Sequence, residues 1–179
     1  MRLDDLPPGF DDPVEGMLGF HRRIERQLTT LARIPAHVES RGVDAEASAL
    51  AAGSVEFFGD SLALHHADEG DLLPLLEARA AAAGRRDMVR DVRNRMENEH
   101  HEMDLAWRTL RRPLESISEG MHRTLPAELM QYFRFLHARH IALEESTLHL
   151  EATRSLLPSD RVALGRGMVA RRIRRRRFG

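Results

Sequence analysis

The sequence predicts an all-α protein, an up-down-up-down four-helix bundle with an additional short C-terminal helix. Three observations carry that reading. Apolar residues recur in alternating steps of three and four over four separate stretches, the period of a helix that buries one face. Pro and Gly cluster between those stretches, where a bundle needs its turns. No segment alternates polar and apolar residues with β-branched or aromatic enrichment over more than a few positions, and only 5% of residues are aromatic. At 179 residues the chain fits one domain and can bury a core without a covalent staple.

Helix A starts at Asp12-Pro13-Val14-Glu15, where an N-cap Asp precedes Pro at the first helical position and Glu at the third. Its inner face runs Met17, His21, Ile24, Leu28, Leu31, until Pro35 and the Ser40-Arg41-Gly42 stretch break the pattern. Helix B begins near Asp44, with face Ser54, Phe58, Ser61 or Leu62, His65, Glu69 and Leu72, and is expected to end close to Pro74, followed by an Ala-rich turn to Gly84. Helix C covers about residues 86–111, with Val92, Met96, His100, Met103, Trp107 and Leu110 inward, before Pro113 and a loop at 116–120. Helix D starts at Pro126 and carries Leu129, Phe133, Leu136, His140, Leu143 or Glu144, Thr147 and Leu150 before Leu157-Pro158. A shorter helix over about 159–173 has Val162, Met168 and Val169 as its apolar residues, while Gly165 and Gly167 weaken it by roughly 1 kcal/mol each. The expected organisation is therefore an N-terminal arm over 1–11, the bundle over 12–157, and a C-terminal helix with a basic tail over 158–179.

Composition narrows the chemistry. With no cysteine, thiolate zinc sites, iron–sulfur clusters, disulfides and cysteine nucleophiles are excluded, leaving His and carboxylate as the strong metal ligands. All 27 basic residues are Arg, so a lysine Schiff base or a P-loop lysine is excluded as well. Six of those Arg, at 171, 172, 174, 175, 176 and 177, crowd the last nine residues. Such a run can meet nucleic acid or an anionic surface, but aromatic interleaving is absent apart from Phe178, so a solvated tail with no nucleic-acid partner is expected. Neither an eighteen-residue apolar run nor a basic, apolar leader is present, which predicts a cytoplasmic protein with no membrane partner.

Ten histidines and two repeated spacings carry the functional signal. His65-x3-Glu69 and His140-x3-Glu144 each place an imidazole and a carboxylate one turn apart on the same helix face, and helices A and C add His21 and His100. A single histidine on an apolar stripe is ordinarily a hydrogen-bonded core residue. Four helices that each turn one inward, together with two buried carboxylates and no inward Arg, are a different matter. An unpaired buried carboxylate costs several kcal/mol, and a cation removes that cost. Helical bundles build two-metal carboxylate sites in this way, and an N/O donor set suits iron, then manganese or zinc.

At these residues the chain resembles the hemerythrin-like, or HHE cation-binding, domain family. Gly19-Phe20-His21-Arg22-Arg23-Ile24 resembles the first-helix block. Leu64-His65-His66-Ala67-Asp68-Glu69 through Leu73-Pro74 resembles the His-x3-Glu block, Glu99-His100 the third-helix block, and His140-Ile141-Ala142-Leu143-Glu144-Glu145 the closing block. The four occur in the family's order over roughly residues 12–157. The resemblance implies two iron ions with an oxo or hydroxo bridge, manganese or zinc being possible substitutes. It further implies that His21, His65, His100 and His140 are terminal ligands and that Glu69 and Glu144 bridge. It also implies a small-molecule ligand: O2, or in related chemistries peroxide or NO. An oxygen-binding protein, a di-iron enzyme decomposing hydrogen peroxide or reducing NO, and an iron-handling or sensing protein all share these residues.

The oxygen-carrying members use a fifth histidine four residues along the third helix, where this chain has Asp104. Candidates for an additional ligand are His66, His101, Asp104 and His137. Direction on the helix favours His137 or Asp104, each one turn from a ligand, because His66 and His101 turn about 100° away from their neighbours. Glu99 and Glu145 are candidate acceptors for ligand N–H groups. His37 and His122, in expected loops, and His149, beyond Glu144, are assigned to solvent.

Overall fold

The computed structural model describes residue 10 and residues 12–178, the side chains of 176–178 excepted. The expected arm over 1–11 thus lies, apart from Phe10, outside the described residues, as do the side chains of Arg176 and Arg177. All regular structure among the described residues is helical. Eight α-helical segments follow in order: α1 (Pro13–Leu31), α2 (Ile34–Arg41), α3 (Ala45–Glu56), α4 (Leu62–Ala81), α5 (Arg86–Ser118), α6 (Ala127–Leu143), α7 (His149–Ser155) and α8 (Pro158–Phe178). Two π-helical segments, Phe57–Ser61 and Glu144–Leu148, join α3 to α4 and α6 to α7 without a break. None of these helices is long and apolar enough to cross a membrane.

Local chemistry explains the starts. Asp12 Oδ1 accepts from the backbone N–H of Val14 at 3.0 Å and of Glu15 at 3.3 Å, and Asp44 accepts from Ala47 N–H at 2.9 Å. Each carboxylate also complements the positive end of its helix. Pro35 sits in the first turn of α2, where its missing N–H is no loss, and Gly42 ends that helix at φ +77°. His37 therefore lies on a helix instead of a loop, with its Nε2 2.8 Å from Asp44 Oδ1.

The ends depart from expectation at prolines. Helices α4 and α5 run through Pro74 and Pro113. A mid-helix proline forfeits one hydrogen bond and strains the preceding turn. Here Leu76 and Ala80 beyond Pro74, and Leu114 and Ile117 beyond Pro113, are fully buried, so side-chain burial holds the helices past their breakers. Helix α8 likewise continues through Gly165 and Gly167 to Phe178. At Gly167 a Cβ would lie 3.3 Å from Asp71 Oδ2, so the residue that weakens the helix permits its close approach to α4.

The chain divides into two compact units. The first comprises residues 1–21, 64–96 and 141–179. Its core joins Val14 and Met17 to Leu72, Leu73 and Leu76, Val89, Val92 and Met96, and Leu148, Leu164 and Met168. Two ion pairs seal its edge: Arg79 with Asp160 at 2.8 Å and Arg85 with Glu151 at 2.9 Å. The second unit comprises 22–63 and 97–140. It buries Ile24, Leu28, Met103 and Leu110 around an aromatic group in which Phe58 packs edge-on against Phe133, with ring centroids 5.1 Å apart, and lies against Trp107.

The two ion pairs make the first unit acid-sensitive. A hydrogen bond from Arg85 holds the Glu151 carboxyl below its ordinary 4.5, and one from Arg79 holds Asp160 below 3.8. Depressed folded-state values stabilise the fold above those ordinary values, and that stabilisation is lost as pH falls through the depressed ones. In metal-free protein the melting temperature is expected to drop by a few degrees more between pH 5 and pH 3 than in the Glu151→Gln, Asp160→Asn double variant. Parallel melting curves for the two proteins would refute this.

Candidate metal centre

In the first unit α1 supplies His21, α4 supplies His65, His66 and Glu69, and the π-helical segment after α6 supplies Glu144 and Glu145. His21, His65, Glu69 and Glu144 are buried to 1% exposure, which places ionisable groups where only partnered ones are stable. His21 Nε2 lies 3.1 Å from Glu144 Oε2, and ligand atoms of His21, His65 and Glu144 all fall within 4.8 Å of one another. The His21 ring meets the His65 ring edge-on, with centroids 5.1 Å apart, and Phe20 stacks on the other side of His65 at 4.5 Å.

His65 Nε2 approaches Glu69 Oε1 to 2.9 Å yet has no aligned hydrogen bond. Two donors that face the same point, instead of each other, make such a contact. Donors bound cis to one ion at about 2.1 Å each lie about 3.0 Å apart, so the separations in this unit fit a metal ion. His66 and Glu69 also offer ligand atoms within 4.8 Å.

The second unit holds a matching pair. His100 on α5 and His140 on α6 bring their Nε2 atoms to 3.1 Å, again the separation of cis imidazoles on one ion. Two of the Nδ1 atoms are occupied. His140 Nδ1 donates to Glu99 Oε2 at 3.1 Å, and in the first unit His21 Nδ1 donates to Glu145 Oε1 at 3.0 Å. A carboxylate on Nδ1 fixes the ring orientation, makes the imidazole a stronger donor and leaves Nε2 for a metal. Glu99 is buried and is held in turn by Arg139, whose Nε lies 3.1 Å from its Oε1. Glu99→Gln should therefore weaken metal binding by about 10–100-fold with little change in helicity. A competition titration against a chelator checks this, and unchanged affinity would show that Glu99 serves only Arg139.

Electrostatics in the first unit differ between His21 and His149. Burial works to lower the His21 value, but the hydrogen bonds and charges of Glu144 and Glu145 outweigh it, so His21 is raised above its ordinary 6.5. His149 moves the other way, pushed down chiefly by burial, which favours the uncharged ring.

Four placements differ from sequence expectations. Asp104 is an exposed residue on Arg108, 2.6 Å from its Nη2. His137 donates from Nδ1 to the Phe133 carbonyl at 2.9 Å and packs its ring on Phe58 and Phe133, as an ordinary core histidine does. His66, not these two, joins the group of possible ligands. The reason lies in helix angles: counted from His65, Glu69 falls at about 40° and His66 at about 100°, so Glu69 sits between the two histidines. His149, assigned to solvent, is 5% exposed, its ring centroid 5.2 Å from that of His21. The π-helical segment adds a residue to the turn, closed by a hydrogen bond from His149 N–H to the Glu144 carbonyl. It thereby rotates His149 back toward the face of Glu144.

An all-helical chain that buries imidazole and carboxylate donors in groups of metal-binding geometry, with no sulfur ligand, is a helical metal-binding protein. More narrowly, the chain belongs to the hemerythrin HHE cation-binding domain family, whose model matches residues 12–151. It is also similar to an uncharacterized protein of Haemophilus influenzae, 26% identical over 91% of each chain.

Proposed function

We propose that this protein holds a carboxylate-bridged di-iron centre within a four-helix bundle and binds O2 or a related small oxidant there. His21, His65, His100 and His140 are the terminal ligands, and Glu69 and Glu144 are the bridges. The observation that carries the reading is the convergence of buried His21, His65 and Glu144 in one group of ligand atoms. An N/O donor set with four imidazoles suits iron before manganese or zinc. When bound, two such ions supply the electrons that a small oxidant accepts.

The chain's own residues prepare the site. Glu145 and Glu99 hold the Nδ1 protons of His21 and His140, so both rings present Nε2. Phe20 shields one face of His65 from water. His66 supplies an additional nitrogen beside Glu69, in the role sequence reasoning gave to His137 or Asp104.

Anaerobic loading with Fe(II), metal analysis and exposure to one equivalent of O2 test the reading. About two irons per chain and a reversible absorption change are expected. Sustained evolution of O2 from hydrogen peroxide, abolished in His21→Ala, would instead make the protein a peroxide-decomposing enzyme. Stoichiometric oxidation followed by iron release would make it an iron-handling protein. Failure to retain any metal would refute the centre itself.

A further inference from the structure

His149 is a buried histidine of the first unit to which the ligand set gives no work. Its side chain is more than nine-tenths buried, and neither Nδ1 nor Nε2 has a hydrogen-bond partner. A neutral imidazole carries one N–H and one lone pair, and burying both without partners is unfavourable unless something fills the space they face. The surroundings say what kind of thing that is. The ring lies beside His21 with planes 30° apart, and Glu144, Glu145 and His65 are the other ionisable groups that act on it. Yet His149 is not in the group whose ligand atoms converge. It borders that group at His21 without completing it.

We propose that His149 is the hydrogen-bond donor of the first unit's metal pocket, presenting an imidazole N–H to a small exogenous ligand that binds beside His21. The class of ligand is a small anion or polar diatomic able to accept one hydrogen bond. The position depends on the π-helical segment, because a regular α-helix would carry residue 149 about 140° around from residue 144. Such segments are frequent at functional sites. Phenylalanine fills the same volume with no donor, whereas glutamine restores one.

This inference rests on the proposed metal centre, and its test separates the two. Wild type, His149→Phe and His149→Gln are loaded with iron, oxidised, analysed for metal and titrated with azide, following the charge-transfer absorption and the azide stretching frequency. Equal iron content in all three is expected, with azide about tenfold weaker and its stretch shifted in His149→Phe, and both partly recovered in His149→Gln. Unchanged azide affinity and stretch in a His149→Phe protein that keeps its iron would overturn the role of His149 alone. Loss of iron from either variant would make His149 a metal ligand and overturn the proposal as well. Should His149→Phe not fold, His149→Gln decides: it must keep its iron and bind azide within a few-fold of wild type. A wild type that takes up no iron would remove the centre itself.

Discussion

Stripping the metal should lower the melting temperature by about 10–15 °C at neutral pH. Glu69 and Glu144 put two carboxylates into a buried environment at 1% exposure, and without a cation each must be offset by a neighbouring imidazole. Ligand-linked stabilisation reaches about 4 kcal/mol when free metal stands at a thousand times its dissociation constant. For a chain of this size, 1 kcal/mol corresponds to about 2–4 °C. Calorimetry with and without Fe(II), under reducing and oxygen-free conditions, measures the difference. Glu144→Ala sharpens the result. It removes the carboxylate 3.1 Å from His21 Nε2, so bound iron is expected to fall from about two per chain toward one or none, and added metal should no longer raise the melting temperature appreciably. Glu69→Ala should behave alike, because the carboxylate lost there lies 2.9 Å from His65 Nε2. Full occupancy in both variants would show that neither carboxylate bridges.

The residues proposed for the centre can be picked out in the sequence because they obey helix arithmetic. His65 and Glu69 share a face at a four-residue spacing, and the caps at Asp12 and Asp44 announced the starts of their helices. What was not legible lies where the helix period changes or burial overrides a local signal. No residue between Glu144 and Leu148 advertises a π-helical segment, so a reader counting 100° per residue sends His149 to solvent. His66 was misjudged by measuring its direction from His65 when the carboxylate at 69 was the relevant reference. Pro74 and Pro113 are helix breakers by any local rule, and only the buried side chains beyond them show why the helices continue.

Within the arginine-rich C-terminus Arg171 and Arg172 depart from expectation and carry the second large effect, whereas Arg174 and Arg175 are exposed as a solvated run would be. Instead of a solvated tail, Arg171 and Arg172 lie on α8 and clamp α4: Arg172 Nη2 donates to Asp68 Oδ2 at 2.8 Å, and Arg171 Nε lies 3.3 Å from Asp68 Oδ1. Arg171 Nη2 also donates to the Ala67 carbonyl at 2.9 Å. The Asp68 side chain is 1% exposed, whereas the two guanidiniums are 17% and 26% exposed. Charge is therefore buried mainly on the carboxylate, which stands one residue before Glu69 on the same turn of α4. Removing the arginines leaves that carboxylate without its cations, and breaking a buried pair in this way costs about 3–5 kcal/mol. The part-exposed guanidiniums already draw on solvent, so we expect a loss at the lower end, about 3 kcal/mol, for Arg171→Ala, Arg172→Ala together. Asp68→Asn in that background should recover part of the loss, since a neutral amide tolerates burial better than a lone carboxylate. Denaturant unfolding of the metal-free proteins measures both steps. Because the clamp fixes the turn that presents His65 and Glu69, the double variant should also hold metal more weakly. A double variant as stable as wild type would return the arginines to the role of a solvated tail.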